Sequence, residues 1–161
     1  MKTIKVYPKN KEYFIRLKKF GNEIKEICLA EGTEPILYGG LMYFAYTKDK
    51  NYKISDLDFL IPENSFEKII KTLGEKGIKH KYNKKWHTMP IFKGDLRIEI
   101  DSIDFWQAKL PKSYTYFNFD GLKLKSMKLN DLIKIYKRAS EVSHDKPEQH
   151  RKRYEALLKV K

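Results

Sequence analysis

The chain has 161 residues and carries 34 Lys and Arg against 21 Asp and Glu, for a net charge of +13. Hydrophobic residues make up 41% and aromatics 14%, a composition that excludes a disordered chain. The longest nearly apolar run, residues 36–46, is about half the length a membrane helix needs, so no membrane partner is expected.

One domain is expected from the length: an N-terminal helix in 1–34, a catalytic sheet core in 35–127 and a basic helical part in 128–161. Cys28 is the only cysteine, which precludes an internal disulfide and points to a reducing, cytoplasmic setting. The opening MKTIKVYPKNK lacks the apolar stretch of a secretory signal. Residues 121–161 hold 12 Lys and Arg against 5 Asp and Glu. Such a basic region suits a polyanion, whether nucleic acid or the phosphates of a nucleotide, and equally suits a lysine-rich surface with no partner.

In chain order, Asn10 is placed to cap a helix running to about Ala30, with Phe14, Leu17, Phe20, Ile24, Ile27 and Cys28 as its apolar stripe and Gly32 as its stop. A short strand follows at 36–38, then Gly39-Gly40, a second helical stretch and a polar loop, 48–53. The segment SDLDFLI (55–61) reads as a strand. Asn64 with Glu67 in capping-box position opens a helix that Gly77 ends. Residues 86–93 and 96–103 form a predicted hairpin around Gly94-Asp95, and 114–119 and 122–127 another around Asp120-Gly121. Two helices close the chain; Asp145, Pro147 and Glu148 mark the start of the last. The expected fold class is mixed α/β (α+β), a small sheet with flanking helices and a C-terminal helical pair.

Chemistry is concentrated on two strands. Asp is disfavoured in strands, yet Asp56 and Asp58 interrupt an apolar run and, two apart, share a face. In LRIEIDSI, Glu99 and Asp101 likewise share a face. If the two strands are neighbours, Glu99 or Asp101 joins Asp56 and Asp58 in a cluster that needs cations, and an oxygen-only donor set suits Mg²⁺ or Mn²⁺. Upstream, Gly39-Gly40 between a strand and a helix lets backbone N–H groups approach an anion; a plain tight turn needs the same glycines. His80, His87, His144 and His150 show no zinc-ligand spacing.

The string LYGGLMYFAYTKDKNYKISDLDFLIP resembles the signature of the nucleotidyltransferase superfamily, the DNA polymerase beta-like fold. It is similar in style to the minimal lincosamide and aminoglycoside nucleotidyltransferases and the abortive-infection-type nucleotidyltransferase toxins. The resemblance spans roughly residues 36–158, with 36–62 and 96–103 its specific parts. It implies Gly39, Gly40 and Leu41 at the triphosphate, Asp56 and Asp58 as ligands of two Mg²⁺ ions about 4 Å apart, and Glu99 or Asp101 as the third carboxylate, with Asp101 a candidate general base. Leu41 stands where many members have Ser or Thr, which removes one hydroxyl contact to the triphosphate. Lys134 and Lys137 are candidate phosphate contacts, or simply a solvated basic helix face.

The implied reaction moves an NMP from an NTP, such as ATP, to a hydroxyl acceptor with release of pyrophosphate. The acceptor is left open among a small molecule, an RNA end and a protein side chain, and a homodimer is one way to complete the cleft. Three other readings compete: a non-catalytic protein of the same fold, a nucleic-acid-binding module built on the basic C-terminal helices, and a metal-dependent nuclease.

Overall fold

The computed structural model describes residues 1–106, 113–143 and 145–161. Among them lie β1 (Lys2–Ile4), α1 (Lys11–Ala30), β2 (Ile36–Tyr38), α2 (Gly39–Thr47), β3 (Leu57–Ile61), α3 (Phe66–Glu75), β4 (Lys79–His80), β5 (Thr88–Lys93), β6 (Leu96–Ser102), α4 (Ile103–Trp106), β7 (Thr115–Phe119), β8 (Leu122–Ser126), α5 (Leu129–Val142) and α6 (Pro147–Val160). The strands form one mixed sheet in the order β1-β7-β8-β2-β3-β6-β5-β4. The mixed α/β class agrees with the sequence, but the sheet is larger than expected. It gains β1 and β4, strands of three and two residues at its two edges, too short and lysine-rich to show periodicity.

At the centre of the sheet β3 runs antiparallel to β2 and parallel to β6. Alternation sends Leu57, Phe59, Ile61, Ile98 and Ile100 to one face, where all are fully buried. There α1 lies across the sheet, with Leu57 and Leu122 beneath Gly21. The stripe read from sequence, Phe14 to Cys28, is its buried side. Each large apolar side chain so enclosed contributes about 1.5–3 kcal/mol. The opposite face of the same strands carries Asp58, Glu99 and Asp101, and α5 and α6 pack on each other above it, with α2 beside both.

Local capping differs from the sequence reading at three helix starts. Asn10 precedes α1 but makes no side-chain cap. Its amide instead donates to the Ile54 carbonyl at 2.8 Å and accepts from the Ile54 N–H at 3.0 Å. Asn64 lies in a single 3-10 turn, Glu63–Ser65, and α3 starts after Ser65 without a capping box. The Glu63 N–H is taken by Asp104 at 2.7 Å, across 41 residues. At α6 the residue before Pro147 is Lys146, left-handed at φ 53, and Asp145 makes no cap. In each case a longer-range contact or the backbone geometry displaced the local bond the spacing suggested. No described helix is long and apolar enough to cross a membrane.

Candidate active site

The register of three strands builds the site. Asp58 pairs with Glu99 across the parallel β3–β6 ladder, and with Tyr38 across β2–β3. Asp58 and Glu99 therefore stand side by side, and the chain leaves Tyr38 straight into Gly39-Gly40 at the head of α2. Asp56 lies just before β3 rather than within it. The preceding backbone is occupied elsewhere: Ile54 by Asn10, and the Ser55 carbonyl by the Tyr13 hydroxyl at 2.6 Å. The Asp56 carboxylate still converges on the others. One oxygen each from Asp56, Asp58 and Glu99 all lie within 4.8 Å of one another.

Asp101, two residues on, is buried and accepts a hydrogen bond from the Tyr38 hydroxyl; its second oxygen, Oδ1, has no hydrogen-bond partner among the described residues. Withdrawal from solvent raises all four carboxyls above the ordinary range; for Asp58, Glu99 and Asp101 the charges of neighbouring carboxylates add to it, whereas at Asp56 the charge of Arg97 works against it. Asp58 and Asp101 are raised furthest. Among the described residues Arg97 comes within ion-pair range, 3.9 Å from Asp56 and 3.8 Å from Glu99, and is half exposed, too loose to neutralise the group.

Two glycines shape the other wall. Gly39 is left-handed at φ 72, and a Cβ there would sit inside the Asp58 carboxylate. A Cβ on Gly40 would come within 2.6 Å of the Tyr52 hydroxyl and 3.3 Å of Arg153 Nη1. α2 thus begins with no side-chain cap and with Gly39 against the Asp58 side chain. Leu41 is buried.

Gly39, Gly40, Asp58, Glu99, Asp101 and Arg153 line one cavity of about 290 Å³. Arg153 is the residue sequence reasoning missed. Its guanidinium stacks over Tyr43, Tyr52 and Tyr136 at 5.1, 5.7 and 6.0 Å and donates to the Tyr136 hydroxyl at 3.3 Å. The signal was present, since His150, Arg153 and Leu157 follow helical spacing, and Leu157 is fully buried. Beyond Arg153 a neighbouring pocket of about 350 Å³ carries Lys53 and Lys152. His150 faces the carboxylate cavity, and burial followed by the charge of Arg153 lowers its pKa. Lys134 and Lys137 are exposed on α5 and do not line the cavity. His144 lies outside the described residues.

No protein-family model matches the sequence, and no curated protein matches it significantly. The structure is similar to that of the antibiotic-resistance factor ANT(2'')-Ia, with a TM-score of 0.66 at 16% identity over 90% of this chain and 84% of the other. It is also similar to the lincosamide antibiotic adenylyltransferase LnuA bound to lincomycin, at 0.57 and 14% over 97% and 100%. A third is the polyadenylate synthase of Megavirus, at 0.58 and 21% over 91% of this chain and 32% of that one. The chain has the nucleotidyltransferase superfamily fold.

Proposed function

We propose that the chain is a metal-dependent nucleotidyltransferase that moves an NMP from an NTP to a hydroxyl acceptor and releases pyrophosphate, with residues 1–161 acting as one unit. The observation that carries this reading is the convergence of Asp56, Asp58 and Glu99 oxygens within 4.8 Å, beside the uncapped start of α2. The donor set fits a hard divalent cation, Mg²⁺ or Mn²⁺. It is made of carboxylate oxygens alone, held too close to stay ionised without added positive charge. Asp56, Asp58 and Glu99 would hold the metal, which when bound supplies Lewis-acid neutralisation of the charge that develops on the transferred phosphoryl group.

The chain's own residues do the rest. The N–H groups that open α2 and the Arg153 guanidinium bind the triphosphate, the latter oriented by its three tyrosines. Glu99, or Asp101 behind it, accepts the proton of the acceptor hydroxyl. Tyr136 and Ala139 of α5 wall the cavity and keep bulk water from the phosphoryl group. Fold neighbours support the class of reaction: ANT(2'')-Ia has been captured with adenylyl-2''-tobramycin.

The test is NTP binding by calorimetry, with and without Mg²⁺, on the native chain and on Asp56→Asn/Asp58→Asn. Mg²⁺-dependent binding that disappears in the double variant is expected. Equal, metal-independent behaviour of both proteins would remove the enzyme reading and leave the basic helices as a binding surface.

A further inference from the structure

We propose that the Tyr52 hydroxyl donates a hydrogen bond to the pyrophosphate end of the bound NTP, at the place where the first turn of α2 has no hydroxyl of its own. The inference rests on the nucleotidyltransferase reading above and adds a binding residue to it.

The head of α2 is bare of polar side chains. Gly39 and Gly40 bring none, and Leu41 is buried. The Tyr52 hydroxyl stands in the space this leaves. A Cβ on Gly40 would meet it at 2.6 Å, while the next atoms, Arg153 Nη1 and Tyr52 Cε1, are each at 3.3 Å. A hydroxyl carried by the loop between α2 and β3 therefore occupies the position that a side chain on Gly40 would take.

That hydroxyl is held firmly and left over. The Tyr52 ring stacks on Phe44 at 5.2 Å and 18°, and Arg153 lies 5.7 Å over it. Its backbone N–H donates to the Asp49 carbonyl at 3.2 Å, and its carbonyl accepts from the Lys9 N–H at 2.8 Å. The other two tyrosines beneath Arg153 have partners: Tyr43 donates to Asp49 at 2.7 Å, and Tyr136 accepts from Arg153 at 3.3 Å. Tyr52 is only 6% exposed, yet its hydroxyl has no hydrogen-bond partner among the described residues. A polar group so enclosed costs stability unless something pairs with it. Packing alone asks for phenylalanine here, which would keep both the stack on Phe44 and the aromatic face under Arg153. Burial raises the Tyr52 pKa against the opposing charge of Arg153, so the group is an O–H donor at neutral pH.

Position selects the phosphates. Gly40 and Arg153 line the carboxylate cavity, while Tyr52 and Arg153 line the 350 Å³ pocket beside it, with Lys53 and Lys152. Tyr52 thus stands where the two meet, on the cationic side. In an in-line displacement the departing pyrophosphate lies opposite the attacking oxygen. With Glu99 on the acceptor's side, the cations draw the pyrophosphate end towards Arg153. There the phenol O–H reaches a non-bridging oxygen, a charge-assisted bond stronger than one between neutral groups.

The experiment is calorimetric titration of the full chain with each of the four NTPs in Mg²⁺, alongside melting of the unliganded protein. Tyr52→Phe is expected to weaken Mg²⁺-dependent NTP binding about tenfold or more, while the melting temperature holds or rises. Gly40→Ser adds a test that a packing role would not pass. In the native background its Cβ collides with the Tyr52 hydroxyl, and NTP binding weakens. In the Tyr52→Phe background the nearest remaining atoms are at 3.3 Å, and the serine hydroxyl restores most of the lost affinity. NTP affinity of Tyr52→Phe within about twofold of native overturns the proposal and leaves the enzyme reading intact. A loss that comes with a lower melting temperature, or that Gly40→Ser does not repair, assigns Tyr52 to packing and overturns it too. Absence of Mg²⁺-dependent NTP binding in the native chain overturns the enzyme reading itself, and this proposal with it.

Discussion

Asp95, in the turn that leads into β6, and Asp101, near the end of the same strand, show what this fold does with an acid when a cation is at hand and when none is. Asp95 is exposed and gripped by both arms of Arg16 at 2.7 and 2.8 Å, and that contact lowers its pKa. Asp101 and its neighbours Asp56, Asp58 and Glu99 are withdrawn from water; among the described residues Arg97 approaches two of them only loosely and Arg153 is turned to its tyrosines, and their pKa values rise. A protein of +13 has lysines to spare for such a cluster. That it leaves the cluster under-neutralised is the contrast on which the proposed metal site rests.

The sharpest break of this contrast is Asp58→Asn. Nucleotide transfer is expected to fall about a thousandfold, measured with a labelled NTP, while the metal-free protein gains rather than loses thermal stability because one of the crowded charges is gone. Gly39→Ala comes next. It places a Cβ against Asp58 in left-handed backbone, costing about 1–2 kcal/mol of stability in denaturant unfolding, and Mg²⁺-dependent NTP binding is expected to disappear with it. Arg153→Met removes the cation of the triphosphate side and should weaken NTP binding about 10- to 100-fold by calorimetry, with little change in the acceptor's KM.

The pH dependence follows from the direction of the shifts. The folded cluster retains protons that the unfolded chain releases from about pH 4 upward. Its contribution to stability is therefore full below that pH and is lost as pH rises through the elevated folded values. Metal-free protein should melt at lower temperature at pH 8 than at pH 5.5. Saturating Mg²⁺ should reverse that order, which differential scanning calorimetry reads directly. The smallest effect belongs to Asp95→Asn: transfer within about twofold of native and a melting point that barely moves, as for other exposed ion pairs.

Much of this architecture is written in local pattern. The α1 stripe, the Gly39-Gly40 turn and the alternation in LDFLI and LRIEI are short-range signals, and the sheet realises them. The adjacency of β3 and β6 is long-range, and sequence could state it only as a condition. The resulting register of Asp58 opposite Glu99 comes from the fold. Arg153 is a different case: helical spacing with Leu157 marks the buried side of α6, but not what Arg153 does there. Its role depends on tyrosines 17, 101 and 110 positions away, which gather around it only when α6 returns over α2. Asp101 and Glu99 looked equivalent by alternation. The Tyr38 hydroxyl distinguishes them, by occupying one oxygen of Asp101.

Asn10 carries a consequence for how the chain can be handled. Its side chain gives Ile54 the donor and acceptor that a neighbouring strand would have offered, and the Lys9 amide reaches Tyr52 at 2.8 Å alongside it. The segment that delivers Asp56 is thereby moored to the first turn of α1. A cut or fusion placed after residue 10 would set that segment adrift and detune the metal ligands while touching none of them, whereas one placed ahead of Lys9 leaves the mooring whole.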